Sequence, residues 1–403
     1  IGTLGVALRH SATPAFGRAR TAARGPGASA EEAGLTISDA FDGGAVEVAE
    51  VQGTRVSLRL RPDARRENCP GQWFYFRAAG MVPGQAYTFE LDTSRAYYSE
   101  AFEPCKRKGI RYLVCASYDH AAWFRCGSTA FGRDRLTWSL SPAKAACCYF
   151  ASFEPYGRDR QRRFTAAARA DGAELVVLGQ TLDGEDLEVL CYPASAAHRL
   201  QRAAPPRAEG DLGSDSLRVS VWITCRQHPS ETHGSFFAEG ALRELLASAA
   251  LPSHADIFLV HNANPDGSRR GHTRGNAAGM DLNRSWSKAT LARTPEVVHM
   301  RAAMCRTGVD VHLDVHGDEV LPHVFAHPRT EHGVRDCAPA QRRLYGAFHR
   351  ALALESGGAY QTLRGYSGRF GADAKRPRTA AAWSSAEFQA LSLTLELPFR
   401  DSA

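Results

Sequence analysis

Nowhere in this 403-residue chain do 18 or more apolar residues run together, which removes a bilayer-spanning helix from consideration. No Cys-x-x-Cys pair occurs either. The ten cysteines fall at irregular spacings, so neither a zinc ribbon nor a small disulfide scaffold is indicated. Reduced, mostly buried thiols and a cytoplasmic setting are expected, with Cys147 and Cys148 facing opposite ways along one strand. Although Lys+Arg (49) exceed Asp+Glu (43), the basic residues form no long stripe, which argues against a nucleic-acid surface and leaves an acidic substrate compatible. Acidic residues are missing before Glu31, where Arg9, Arg18, Arg20 and Arg24 stand among Ala, Ser, Thr and Gly. Residues 1–34 are expected to be a disordered segment or an organelle-targeting one, and they are set aside from the fold.

What is present divides the chain in two. Residues 35–156 carry seven short β-type runs, among them AVEVAEV, RVSLRLR, QWFYFRAAG and CCYFASF, separated by turn residues. That pattern predicts an antiparallel β-sandwich, with Trp73, Phe74, Tyr75 and Phe76 serving packing. Residues 157–403 alternate helix and strand: a basic helix over 157–171, a hairpin about Asp183-Gly184, a strand over 217–223, and a helix over 232–248. Strands over 257–260, 309–315 and 391–397 and helices over 295–305 and 340–355 follow. This predicts an α/β domain with a largely buried sheet, and the Pro205-Pro206 stretch reads as a surface loop within it.

Four clusters carry chemistry. His228-Pro-Ser-Glu231 lies where a strand gives way to a helix, and a turn there lets His and Glu three apart converge on one metal. About one such spacing is expected by chance in a chain of this composition, so the pair gains weight only from company. His316 follows in DVHLDVHGDE, where His312, Asp314 and His316 share one strand face. Two histidines and a glutamate leave a fourth position for water, the arrangement of a catalytic zinc site, whereas His312 lies deeper and reads as a core histidine. A third cluster joins Asn264-Pro-Asp-Gly267, Arg274 and Asp281-Leu-Asn283-Arg284, arginines suited to carboxylates or ordinary turn and surface residues. Glu396, inside the apolar run LTLELPF, costs several kcal/mol to bury unless it is paired or functional.

Together these clusters resemble the zinc metallocarboxypeptidases, specifically the cytosolic carboxypeptidase branch with its amino-terminal β-domain, and bacterial-type members most. DAFDGGAVEV, QWFYFR, CCYFASFEPY, LGQTLDGEDLEVL, RQHPSETHGSFFAEG, NANPDGSRRGHTRGNAAGMDLNRSW, DVHLDVHGDEVLPHVF and LTLELPF follow that branch's order over residues 35–400. The resemblance implies an α/β carboxypeptidase domain with a mixed central sheet, preceded by an all-β antiparallel sandwich. It implies one Zn²⁺ held by His228, Glu231 and His316, with Asp281 orienting a ligand histidine. Asn283 and Arg284 are then the pair that grips the terminal carboxylate of a peptide or protein tail, Arg274 stabilises the oxyanion, and Glu396 is the general base.

A mobile tyrosine belongs to that pattern, and Tyr366 is the candidate. Members of the branch remove glutamates from protein tails; Lys375, Arg376 and Arg378 either face such an acidic side chain or form a solvated basic loop. The other readings are an N-acyl amino acid hydrolase of aspartoacylase type and a catalytically inactive protein-binding relative. The long β-domain and the DLNR pair favour the peptidase over the first, and the complete donor set disfavours the second.

Overall fold

The computed structural model of the chain describes residues 34–64, 71–96, 101–102, 111–142, 146–201, 218–247, 254–328, 339–356, 360 and 378–399. Residues 1–33, the Pro205-Pro206 loop, Tyr366, Lys375 and Arg376 lie outside the described residues.

The amino-terminal strands are β1 (Thr36–Ser38), β2 (Glu47–Gln52), β3 (Arg55–Arg59), β4 (Tyr75–Ala79), β5 (Tyr87–Asp92), β6 (Cys115–Ser117), β7 (Trp123–Arg125), β8 (Ala130–Gly132), β9 (Arg135–Leu140) and β10 (Cys147–Ala151). They form two five-stranded sheets, in the orders β1-β4-β10-β6-β7 and β2-β3-β5-β9-β8. Every pairing is antiparallel save β3 with β5. Between those two strands the chain crosses to the other sheet to make β4, so it returns in its original direction.

The period-two pattern explains the packing. Phe74 and Phe76 point between the sheets, where Phe89, Trp138 and Phe150 meet them, with Phe89 and Trp138 stacked at 5.4 Å. Each such buried ring contributes on the order of 2 kcal/mol. Trp73 and Tyr75 point the other way, into a smaller cluster with Ala45 and Ala151. Cys147 and Cys148 alternate likewise, the second fully buried. Of the seven cysteines among the described residues only Cys305 is exposed.

The second part contributes α1 (Arg158–Ala170), β11 (Glu174–Gln180), β12 (Asp186–Tyr192), α2 (Ala197–Gln201), β13 (Val219–Cys225), α3 (His233–Ala247), β14 (Ala255–Val260), α4 (Pro265–Arg270), α5 (Pro295–Thr307), β15 (Val311–Asp318), β16 (Phe325–Pro328), α6 (Pro339–Glu355), α7 (Ala380–Phe388) and β17 (Leu391–Pro398). One seven-stranded mixed sheet runs β11-β12-β14-β13-β15-β17-β16, with β14, β13, β15 and β17 parallel and the edges antiparallel. Helices cover both faces. Residues of α1 and α3 pack on Ile223, Cys225, Val315 and Leu395, while α5 and α7 pack on the face that includes Trp222 and Phe258.

The sequence NPDG, expected as a turn, opens α4 instead. Pro265 supplies a preset first helical residue and the Asn264 side chain accepts from the Gly267 N–H at 3.0 Å, so the same residues that make turns here cap a helix. Helix α7 and strand β16 carried no sequence signal of comparable strength: α7 is alanine-rich and buried on most of its surface, so it shows no amphipathic period. No helix among the described residues is long and apolar enough to cross a membrane.

Candidate active site

The carboxyl ends of β13, β15 and β17 lie side by side, the place where parallel α/β sheets gather functional side chains. After β13 the chain turns at Arg226, whose φ of 61° is costly for a side chain with a Cβ, on the order of 1 kcal/mol or more. Its guanidinium holds the turn, donating to Pro229 O at 2.8 Å and Tyr156 O at 2.9 Å, and burial pushes its pKa down to about 10. Ser230 Oγ donates to Thr273 O at 2.9 Å, and α3 begins at His233. The turn thereby carries His228 and Glu231 to the strand ends.

His316 comes from near the end of β15, and there the three side chains meet. His228 Nδ1 is 2.7 Å from Glu231 Oε1, His316 Nδ1 is 2.8 Å from Glu231 Oε2, and the two Nδ1 atoms are 3.2 Å apart. One donor atom from each residue can be chosen so that all three lie within 4.8 Å of one another, and all three residues are buried. Burial would raise the Glu231 pKa, but His228 and His316 hold it well below the usual carboxylate range. Burial opposes the charged form of His316, yet Asp314 and Glu231 keep its pKa well above the ordinary value. Two imidazole nitrogens facing each other across a carboxylate form a donor set that fits a divalent cation such as zinc.

A second layer of polar groups orients these three. Asp281 Oδ1 is 3.2 Å from His228 Nε2, and its other oxygen accepts from Arg274 Nε at 2.8 Å. Burial opposes ionisation of Asp281, but His228, Arg274 and Arg284 hold its pKa well below the carboxylate range. Asp314 Oδ2 is 3.0 Å from His316 Nε2, and its Oδ1 accepts from Gln227 Nε2 at 2.6 Å and Thr224 Oγ1 at 3.0 Å. Gln227 is fixed in turn by Trp286 Nε1 at 2.8 Å.

Asn283 Nδ2 reaches His316 Nε2 at 2.9 Å, and its Oδ1 accepts from Ala380 N at 2.9 Å, at the first residue of α7. Arg284 beside it is exposed, with Nη1 donating to Asn283 O at 2.9 Å. Arg274 is buried next to Asp281. Glu396 stands in register with His316 on the adjoining parallel strand, 7% exposed, with His327 Nε2 3.7 Å from its Oε1. Arg378 is exposed, and its carbonyl accepts from Trp286 N at 3.0 Å. His312 is fully buried between Thr224 Oγ1 at 3.0 Å and Ser384 Oγ at 2.7 Å.

The structure thus brings His228, Glu231, His316, Asp281, Arg274 and Asn283 into one hydrogen-bonded group, with Glu396 placed beside it by strand register. Sequence reasoning passed over Asp314, Gln227, Trp286 and Glu319. For Asp314 the signal was there, since it shares a strand face with His316 two residues away. Glu319 lines a narrow slot with Trp73, Tyr112, Ser230 and Phe399, and burial together with Glu231 and Asp318 raises its pKa well above the carboxylate range.

Residues 37–153 match the cytosolic carboxypeptidase N-terminal domain, and residues 163–401 match the zinc carboxypeptidase family. The chain belongs to the zinc carboxypeptidases. The metallo-carboxypeptidase of Burkholderia cenocepacia is 31% identical with a TM-score of 0.77, over 92% of this chain and 91% of that one. The Pseudomonas aeruginosa metallo-carboxypeptidase in complex with (2-guanidinoethylmercapto)succinic acid is 32% identical with a TM-score of 0.74, over 90% of each chain. Human cytosolic carboxypeptidase 1 is 25% identical over 332 residues, 72% of this chain but only 26% of that much longer protein. Members of the zinc carboxypeptidase family are peptide hydrolases that act at carboxyl termini, and a zinc cofactor goes with the family.

Proposed function

We propose that this zinc carboxypeptidase removes single residues from the carboxyl termini of peptides or protein tails with one zinc ion, and that acidic terminal residues, glutamate first, are its preferred substrates. The observation that carries the reading is the convergence of His228, Glu231 and His316 donors within 4.8 Å at the ends of the parallel strands. These three residues would hold the metal. When bound, zinc supplies Lewis acidity toward a water molecule and the scissile carbonyl.

The chain's own residues do the rest. Arg284, exposed at the rim, pairs with the substrate's terminal carboxylate, and Asn283 flanks it; this restricts cleavage to the last peptide bond. Arg274, held by Asp281, donates to the carbonyl oxygen as negative charge develops there. A carboxylate oxygen of Glu396 takes the proton of the attacking water and passes it to the departing amine. Asp281 and Asp314 fix the two imidazole rings so that each presents its Nδ1 inward. Support for an acidic terminal side chain comes from Arg378, exposed two residues before Ala380, whose N–H reaches Asn283.

The test is release of the terminal residue from N-benzoylated dipeptides ending in Glu, Asp, Lys, Phe and Leu, with zinc-loaded protein, with and without chelator. Chelator-sensitive release, fastest for Glu, is expected. Faster release of Lys or Phe overturns the acidic preference, and release from none overturns the peptidase reading.

A further inference from the structure

The segment that carries Arg274 is held by the amino-terminal domain, and by one side chain in particular. Asp63, just beyond β3 and 3% exposed, sends its carboxylate across the domain boundary to three consecutive backbone N–H groups. Thr273 N donates to its Oδ1 at 2.6 Å, while Arg274 N and Gly275 N donate to its Oδ2 at 2.8 and 2.6 Å. A carboxylate that accepts from successive amides fixes the path of that backbone far more tightly than one side-chain contact.

The surrounding contacts repeat the arrangement. Thr273 Oγ1 accepts from Gln72 N at 2.7 Å and Trp73 N at 3.0 Å, and Arg61 Nη2 donates to Arg270 O at 3.1 Å. The approach is close enough that a Cβ on Gly275 would lie 3.3 Å from Asp63 Oδ2 and 3.0 Å from Gly279 Cα. On its far side the segment bridges back through Gly275 and Asp281, and Asp281 is the residue that receives Arg274 Nε. Arg274 is therefore fixed at both ends: its backbone by Asp63, its guanidinium by Asp281.

We infer that Asp63 is a positioning residue for the reaction, through which the amino-terminal domain aims Arg274 at the reacting carbonyl. The inference rests on the role of Arg274 proposed above. It gives the β-sandwich a part in turnover: a displacement of about 1 Å in a donor to developing charge costs on the order of a hundredfold in rate. Binding of the peptide's carboxylate, which falls to Arg284, is independent of it.

Asp63→Asn keeps the shape but loses acceptor capacity and turns an amide N–H₂ toward backbone donors, whereas Asp63→Ala removes every acceptor. In Asp63→Asn, amide exchange over residues 272–276 should accelerate by about tenfold or more, while exchange in α3 and β15 is unchanged. On the N-benzoylated dipeptide cleaved fastest, kcat should fall by between about tenfold and a hundredfold with KM within about twofold. In an Arg274→Ala background the Asp63 substitution should cost less than about threefold further, because its effect passes through the missing guanidinium.

Equal losses in both backgrounds overturn the inference, as does unchanged exchange over 272–276. Failure of both Asp63 variants to yield folded protein also overturns it, in favour of a purely structural contact. An Arg274→Ala variant with unchanged kcat sinks instead the role given to Arg274, and the exchange measurement still decides whether Asp63 holds the segment.

Discussion

The two faces of the catalytic sheet are built from the same strands and could hardly differ more. Toward α1 and α3, β13, β15 and β17 present Ile223, Cys225, Val315 and Leu395. Toward α5 and α7 they present Thr224, His312, Asp314, Ser392 and Thr394, all buried, before reaching His316 and Glu396. A hydrogen-bonded chain runs through this polar face from Asp314 to Thr224, Thr224 to His312, and His312 to Ser384, with His316 Nε2 3.0 Å from the other Asp314 oxygen as an ion pair. Ser384 in turn lies 2.9 Å from Ser392. Buried polar groups are costly when unpaired and rigid when fully paired, so one face supplies cohesion and the other supplies orientation.

The sharpest break of that comparison uses neighbours on one strand. Glu396→Gln is expected to lower kcat on the order of a thousandfold while zinc content and unfolding midpoint stay near wild type. Leu395→Ala, which faces the opposite way, should lower stability by about 2–5 kcal/mol and leave the kcat of the folded enzyme within a few-fold. Turnover kinetics and denaturant unfolding separate the two. A Glu396→Gln variant with ordinary kcat removes the base from the mechanism.

A second effect of the polar face appears as a function of pH. Burial lowers the His312 pKa to about 4, against 6.5 for the free group. Between those values the unfolded chain binds a proton that the folded chain refuses, so this contribution is full above pH 6.5 and is lost as pH falls toward 4. It is worth on the order of 3 kcal/mol. Unfolding free energies measured across that window should fall less steeply in His312→Gln; identical slopes would mean that the histidine is not held neutral.

The smallest effect concerns the metal. Asp314→Asn should weaken zinc binding by roughly ten- to a hundredfold, read by competition with a chelator, because His316 loses the partner that fixes its ring. Ile223→Ala, one residue before Thr224 on the other face, should leave zinc affinity unchanged.

How much of this was legible in the sequence follows from the same contrast. The alternation His312, Asp314, His316 and the spacing of His228 and Glu231 are local patterns, and the structure brings those side chains together. Helices α1, α3, α5 and α6 and strands β11, β12, β13, β14, β15 and β17 likewise follow from local periodicity, with ends within a few residues of expectation. What escaped notice depends on distant segments. Gln227 matters because Trp286 and Asp314 flank it, and Asp63 because residues two hundred positions away offer it three amides. Nothing near Pro62-Asp63-Ala64 in the chain distinguishes that aspartate from one in an ordinary turn. Helix α7 escaped for another reason, because a helix buried on nearly all sides loses the polar stripe by which helices are recognised.

The pairing of β15 with β17 fixes more than a sheet. Because His316 lies opposite Glu396 in a parallel ladder, the spacing between the proposed metal ligand and the proposed base is set by which hydrogen bonds the strands choose, and that choice is discrete. A slip of one residue would turn Leu395 or Leu397 toward His316 and aim the carboxylate into the packing beneath α3. A slip of two would restore the facing but move the carboxylate by about 6.6 Å, beyond any side-chain adjustment. Errors in this geometry therefore come in whole steps. With β15 and β17 paired in this register Glu396 stands beside His316, and in either slipped register it does not.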